Sequence, residues 1–301
     1  MINAETIKFG VEFETTINNE HRAETSIGGY HRGETVSYLP AVAASGASTF
    51  WCAERDSSIR AMVSGRTGCE FVSPVLAGRA GIENVASTLQ ILRDKGARVN
   101  HSCGMHVTVE WSGDAAALAR LISLVANHEK GIYATTGTTS RESGRWAPGI
   151  KRYGNDKSAK RSMDYERYHL LNITHIASGR NRVEFRAFAG TLNTAKVVSA
   201  IQMCIGFVQL AQCDAKKSRW AAPSKPASRA SMGDGEYEVS RIYYRLGWTA
   251  GHRKSGDALR GIQFGAIPND AATIKECKKI SMKMASKYDG IDVVEYPAPN
   301  A

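Results

Sequence analysis

Three stretches, FGVEFE (9–14), GMHVTVE (104–110) and RVEFRAF (182–188), alternate apolar and polar side chains with a period of two. In a β-strand that period sends neighbouring residues to opposite faces. Val11 and Phe13, with Phe9, therefore oppose Glu12 and Glu14. Met105, Val107 and Val109 oppose His106, Thr108 and Glu110, and Val183, Phe185 and Ala187 oppose Glu184 and Arg186. Each strand has one face for a helical layer and one face of Glu, His or Arg. The expectation is an α+β chain with a curved, antiparallel or mixed β-sheet and helices on one face.

Two like charges on one face, such as Glu12 and Glu14, contribute nothing to folding unless something neutralises them. A merely solvated face would carry Lys, Thr, Ser and Gln. This one carries carboxylates, an imidazole and an arginine. Carboxylate oxygens suit Mg²⁺ or Mn²⁺, and Mg²⁺ commonly arrives with substrate phosphates. Arg186 adds a planar charged donor for the same phosphates.

The rest of the chain supports a sheet with helices. A first strand over about 6–15 precedes a polar stretch to about 47. A strand over 68–78 ends at Ser73-Pro74, and a helix over 82–96 ends at Lys95-Gly96. A strand within 97–111 leads to a helix capped by Asp114. Residues 135–165 read as a long loop, 166–176 and 181–190 as a hairpin of strands, and Thr194 as the cap of an apolar helix to about Cys213. The division expected is a catalytic domain over 1–214, a basic Pro/Ser-rich linker over 215–235 and a mostly helical extension over 236–301, with helices at 236–248 and 270–288.

Composition narrows the class. The chain has 39 Lys and Arg against 29 Asp and Glu, a net charge of +10, which favours polyanionic or acidic ligands. Six cysteines without a C-x-x-C pair, and an N-terminus without the pattern of a secretory signal, suggest reduced thiols in a cytoplasmic protein. The apolar run Val197–Ala211 holds Ser199, Gln202 and Gln209, which fits a buried helix better than a membrane span.

HSCGMHVTV resembles the G-x-G-M-H-x-H strand of glutamine synthetases, and VEFR resembles their Glu-x-Arg strand. The ordered set FGVEFE, ERDSS, CEFVSP, VNHSCGMHVTV, RYHLLN and VEFRAFAGTLN is closer still to the amidoligase family related to glutamine synthetase and γ-glutamylcysteine ligase. The resemblance spans roughly 7–213. It implies an ATP- and Mg²⁺- (or Mn²⁺-) dependent carboxylate–amine ligase on a glutamine synthetase-like sheet, working through an acyl phosphate. It also implies roles. Glu12, His106 and Glu184 would hold one metal, and Glu14 and Glu70, with Asp56, a second. Arg186 would contact the phosphoryl group in transfer, with Arg167 a further phosphate ligand. The family's second histidine is Thr108 here, which bears on substrate recognition. The partners implied are small-molecule or peptide carboxylates and amines.

Other residues carry weaker readings. Arg141, Arg145, Lys151 and Arg152 on the long loop could close over ATP or an acidic substrate. Cys103 beside His101 and His106 could be a nucleophile, but no triad context accompanies it. Aromatics among basic residues in the tail (Trp220, Tyr243, Tyr244, Trp248) suit either stacking on nucleic acid or packing on the core, and packing is the reading preferred. The alternative to a ligase is a non-catalytic binding or structural protein on the same fold, with nucleic acid as its partner. No membrane partner is expected, and an oligomer is compatible with the sequence.

Overall fold

The alternating stretches lie side by side at the centre of one antiparallel sheet. β1 (Lys8–Asn18) pairs on one side with β4 (Arg66–Val72) and on the other with β6 (Gly104–Glu110). β3 (Cys52–Glu54) and β2 (Glu34–Thr35) continue the sheet beyond β4. β8 (Arg182–Ala189) and β7 (Leu171–Asn172) continue it beyond β6, and β5 (Leu76–Ala77) pairs with the start of β1. The computed structural model describes residues 4–42, 50–213, 233–248, 264–265 and 271–289.

The apolar face is buried as the alternation requires. Phe9, Val11, Phe13, Phe71, Met105, Val107, Val109, Val183 and Phe185 all lie in the core. Over it pack α2 (Gly78–Asp94), α3 (Ala115–Ala134) and α6 (Thr194–Cys213). Phe185 of β8 stacks on Phe207 of α6, with ring centroids 6.4 Å apart. α6 is long and apolar enough to cross a membrane, but here it is a buried core helix in contact with β6, α2 and α3.

Local signals explain several boundaries. The Asp114 carboxylate accepts from the Ala117 N–H at 2.7 Å and caps α3. Beyond α2, Gly96 takes φ +70°. There the Ala97 N–H donates to Leu92 O at 2.8 Å and satisfies a carbonyl of the last turn. The cap of α6 is Asn193 rather than Thr194, because the Asn193 Oδ1 accepts from the Lys196 N–H at 3.1 Å.

Other expectations need larger correction. The strand expected over 166–176 shrinks to the two residues of β7, followed by a helical turn, α5 (Thr174–Ala177). Asn172 causes the turn: its Oδ1 accepts from both the N–H and the hydroxyl of Thr174, at 3.0 and 2.8 Å. The long loop of 135–165 contains α4 (Asp156–Met163), capped by the Asn155 side chain. That helix buries only Ala159 and Met163, too few to mark a periodic face. The polar stretch before 47 includes the short α1 (Arg22–Thr25) and β2.

Towards the C-terminus, α7 (Asp234–Arg245) packs along α3, and α8 (Ala271–Asp289) packs along α6 and α7. Tyr243 and Trp248 are buried and stacked, 5.7 Å between centroids. The expected linker lies outside the described residues apart from 233–235, as do Trp220 and the basic run 252–254.

Candidate functional site

The polar face of the sheet gathers its charged residues in two rows. Glu54, Glu70 and Glu14 stand directly across from one another on β3, β4 and β1. Glu12, two residues earlier on β1, stands opposite His106 on β6. Glu184 on β8 stands between Thr108 and Asn172. Between Met105 and Val107 the β6–β8 register slips, so Arg186 and Ala187 both oppose His106. A bulge of this kind re-aims a side chain.

Hydrogen bonds fix the centre. His106 Nδ1 and Glu12 Oε2 share a hydrogen bond of 3.0 Å. The other ring nitrogen, Nε2, lies 3.3 Å from Glu14 Oε1, and Glu184 Oε1 is 3.4 Å from Nδ1. Arg186 Nη1 donates to Glu184 Oε1 at 2.5 Å, and Asn172 Nδ2 donates to Glu184 Oε2 at 2.7 Å. The Gly104 N–H donates to Glu14 Oε2, also at 2.5 Å. Glu70 Oε1 is buried and has no hydrogen-bond partner.

Burial dominates the electrostatics of the site. Burial pushes the Glu12 carboxyl above its usual range against the pull of Arg186. Burial, then the charges of Glu12 and Glu14, hold Glu70 well above it. Burial also raises Glu54, with His31 opposing. The His106 imidazole is pushed down to about 4, first by burial and then by Arg186. At Glu12, Glu54 and Glu70 these surroundings favour the neutral carboxyl, and an added positive charge would favour the carboxylate.

Two sets of donor atoms are close enough to share a cation. Atoms of Glu12, Glu70 and His106 lie within 4.8 Å of one another, as do atoms of Glu14, Asp56 and Glu70. The second set is the one expected from the sequence. The first set brings Glu70 to Glu12 and His106; Glu184, expected there from the sequence, lies beside it with Oε1 3.4 Å from His106 Nδ1, and its oxygens accept from Arg186 and Asn172.

Two clefts open on this centre. The larger, about 1210 Å³, is bounded by Glu12, Glu54, Glu70, Thr108 and Glu184. The smaller, about 590 Å³, is bounded by Glu14, Asp56, Arg60, Arg141 and Arg145. Arg167 and Arg186 line both. Arg167 Nη2 donates to the Tyr30 hydroxyl at 2.9 Å. Arg145 lies over the Trp146 ring, 4.2 Å from its centroid, and so belongs to the smaller cleft. Lys151 and Arg152 sit in an exposed turn that borders neither cleft.

Some members of the site were not singled out from sequence. Glu54 opens the ERDSS stretch, but it ends a three-residue strand too short to display a period. His31, 3.4 Å from Glu54, comes from a loop with no pattern. Asn172 ends the two-residue β7, and His175 lies in the helical turn after it. Cys103 is buried and its thiol is raised by that burial, which works against a nucleophilic thiolate.

Fold and site together define an α+β protein whose antiparallel sheet presents paired acidic donor sets and a carboxylate-anchored arginine between two clefts. The family described as "putative amidoligase enzyme" matches residues 5–208, more than half of the chain, and the chain belongs to this amidoligase family. Among solved structures it is similar to a bifunctional glutathione synthetase from Pasteurella multocida. The identity is 12% and the TM-score 0.40, over 94% of this chain and 47% of that one. The chain thus spans about half the length of that enzyme. No curated protein matches the chain.

Proposed function

We propose that the chain is an ATP-dependent carboxylate–amine ligase that forms an amide or isopeptide bond. The observation that carries this reading is the pair of clefts meeting at one acidic centre and sharing Arg186 and Arg167. A ligase must bring a nucleotide and an acid together from two sides. The larger cleft suits the nucleotide and the smaller suits the acid. An antiparallel sheet whose functional face carries the clefts supports a glutamine synthetase-like catalytic fold.

The donor chemistry fits Mg²⁺ or Mn²⁺. The oxygens are hard, they are clustered, and Glu70 Oε1 is a buried acceptor left unsatisfied. Glu12, Glu70 and His106, with Glu184 beside them, would hold one ion, and Glu14, Asp56 and Glu70 a second. When bound, such ions neutralise phosphate charge.

The chain's own residues do the rest. A carboxylate resists an amine until one of its oxygens becomes a leaving group. In the proposed reaction the substrate carboxylate takes the γ-phosphoryl group, the bond to the β–γ bridging oxygen breaks, and ADP leaves. The amine then attacks the carbonyl carbon, loses its proton, and expels phosphate. Arg186, held by Glu184, presents a fixed donor where the transferring group carries negative charge. Arg167, bordering both clefts, steadies the same charge.

The deciding experiment is a melting curve with Mg²⁺ and a non-hydrolysable ATP analogue, followed by assay of ADP release with a panel of acids and amines. A ligand at about a hundred times its Kd adds about 2.7 kcal/mol to the stability of the folded state. Stabilisation together with amine-dependent ADP release is expected. Absence of both would overturn the reading.

A further inference from the structure

The amine of the proposed reaction has to give up a proton, and neither Arg186 nor Arg167 can take it. A free amine is mostly ammonium near neutral pH and has no electron pair with which to attack. One turn of the structure supplies an imidazole. Residues 28–33 fold tightly before β2: the Arg32 N–H donates to the Gly29 carbonyl at 3.0 Å, and a Cβ on Gly28 would lie 2.0 Å from the Arg32 carbonyl oxygen. Within the turn His31 takes φ +54°, a left-handed backbone that is uncommon outside glycine and concentrates at functional sites.

The turn stands between the two clefts. Tyr30 borders the smaller and His31 the larger, and their ring centroids lie 3.8 Å apart. Tyr30 is tied to Arg167, which lines both clefts. The His31 side chain is 58% exposed, and its Nδ1 lies 3.4 Å from Oε1 of the buried Glu54. Nε2 is the ring nitrogen left for a ligand. Glu54 heads the row that continues through Glu70 to Glu14, so the imidazole stands at the end of the acidic centre. The charged groups that face it are Glu54 from β3 and Glu12 from β1, with Arg167 behind Tyr30. An imidazole oriented by a carboxylate, and stabilised by it once the ring is positive, is how a general base is built. His106 and His175 are placed differently. His106 is buried within the donor sets, and His175 faces Glu184, whose oxygens accept from Arg186 and Asn172.

We infer that His31 is the base that takes the proton of the attacking amine, with Glu54 orienting its ring. The inference deepens the ligase reading and rests on it. An ammonium N–H bond breaks, its proton passes to His31 Nε2, and the pair left on nitrogen forms the bond to the carbonyl carbon of the acyl phosphate. The C–O bond to the phosphoryl group then breaks. Phosphate leaves with that electron pair and takes the second proton from nitrogen. His31, open to water, returns its own proton to solvent.

The test compares the full chain with His31→Asn in Mg²⁺ and ATP, using the acid and amine that give ADP release, and then hydroxylamine in place of that amine. Asn tolerates the left-handed backbone at this position. Hydroxylamine is already unprotonated near neutral pH. The variant is expected to lose about a hundredfold or more in kcat with the amine, and only a few-fold with hydroxylamine. Glu54→Gln should show the same split to a lesser degree. His31→Gly, which leaves room for a free ring, should regain turnover of the amine when imidazole is added. No loss in His31→Asn, or equal losses with both nucleophiles and no rescue by imidazole, would overturn the inference, while ADP release by the wild type would keep the ligase reading. A wild type that releases no ADP would remove both.

Discussion

Glu14 and Glu70 face one another directly across the β1–β4 ladder, both buried and both within reach of Asp56. Like charges paired across strands oppose folding, and these two are accompanied by Glu54 in the same row. The site is therefore organised at the expense of stability, as functional sites commonly are.

Removing one charge from that row should strengthen the metal-free protein. Glu70→Gln is expected to melt above wild type at neutral pH, because Glu70 is held well above its ordinary range and ionises against the fold. Since its folded form retains the proton longer than the unfolded chain does, its effect on stability worsens as pH rises above 4.5. The same variant should lose the stabilisation by Mg²⁺ or Mn²⁺. Calorimetry with and without the ion checks both parts.

Turnover should depend on Arg186 and Glu12 without the fold depending on them. Arg186→Ala and Glu12→Gln are each expected to lower kcat on the order of a hundredfold, the loss typical of removing a donor or charge from a transition state. Arg186→Lys should not restore it, because an ammonium cannot hold Glu184 and a phosphoryl oxygen as a planar fork. Full ADP release by both variants would refute the assignment. Circular dichroism reports whether the fold is intact.

The C-terminal helix should influence the smaller cleft. The Tyr288 hydroxyl of α8 donates to the Glu142 carboxylate, next to Arg141, and Gly137 of the same loop approaches the Met284 carbonyl. Tyr288→Phe frees the loop while leaving the packing of its ring. The KM for the acid substrate should rise about threefold to tenfold, with the KM for ATP unchanged. Steady-state kinetics with each substrate varied separately checks the split.

Acid should weaken the protein through a histidine far from the site. Burial in α3 pushes His128 from 6.5 down to about 3, although its Nδ1 donates to the Leu124 carbonyl at 2.8 Å. At pH above 6.5 the imidazole is neutral in both states and costs nothing. Below it the unfolded chain takes a proton that the folded chain refuses, so stability falls, by up to about 1.4 kcal/mol per pH unit. Urea titrations should show the wild type losing ground to His128→Gln between pH 6.5 and pH 4.

Alternation in β1, β6 and β8 was enough to establish which residues share a face, because a strand's two-residue period is set by local backbone geometry. Asp114 and the Lys95-Gly96 pair could likewise be read as helix ends, since caps act within a few residues. Pairing between strands is another matter. That Glu14 meets Glu70 and Glu54, that Glu70 comes within reach of Glu12 and His106, and that Arg141 reaches a cleft beside Gly104 all depend on register, a bulge and loop packing. Those contacts join residues tens of positions apart, and no local pattern records them. The sequence by itself determined the chemistry available on the sheet; only the tertiary structure decided which of those groups meet, because burial and register are properties of the assembled chain.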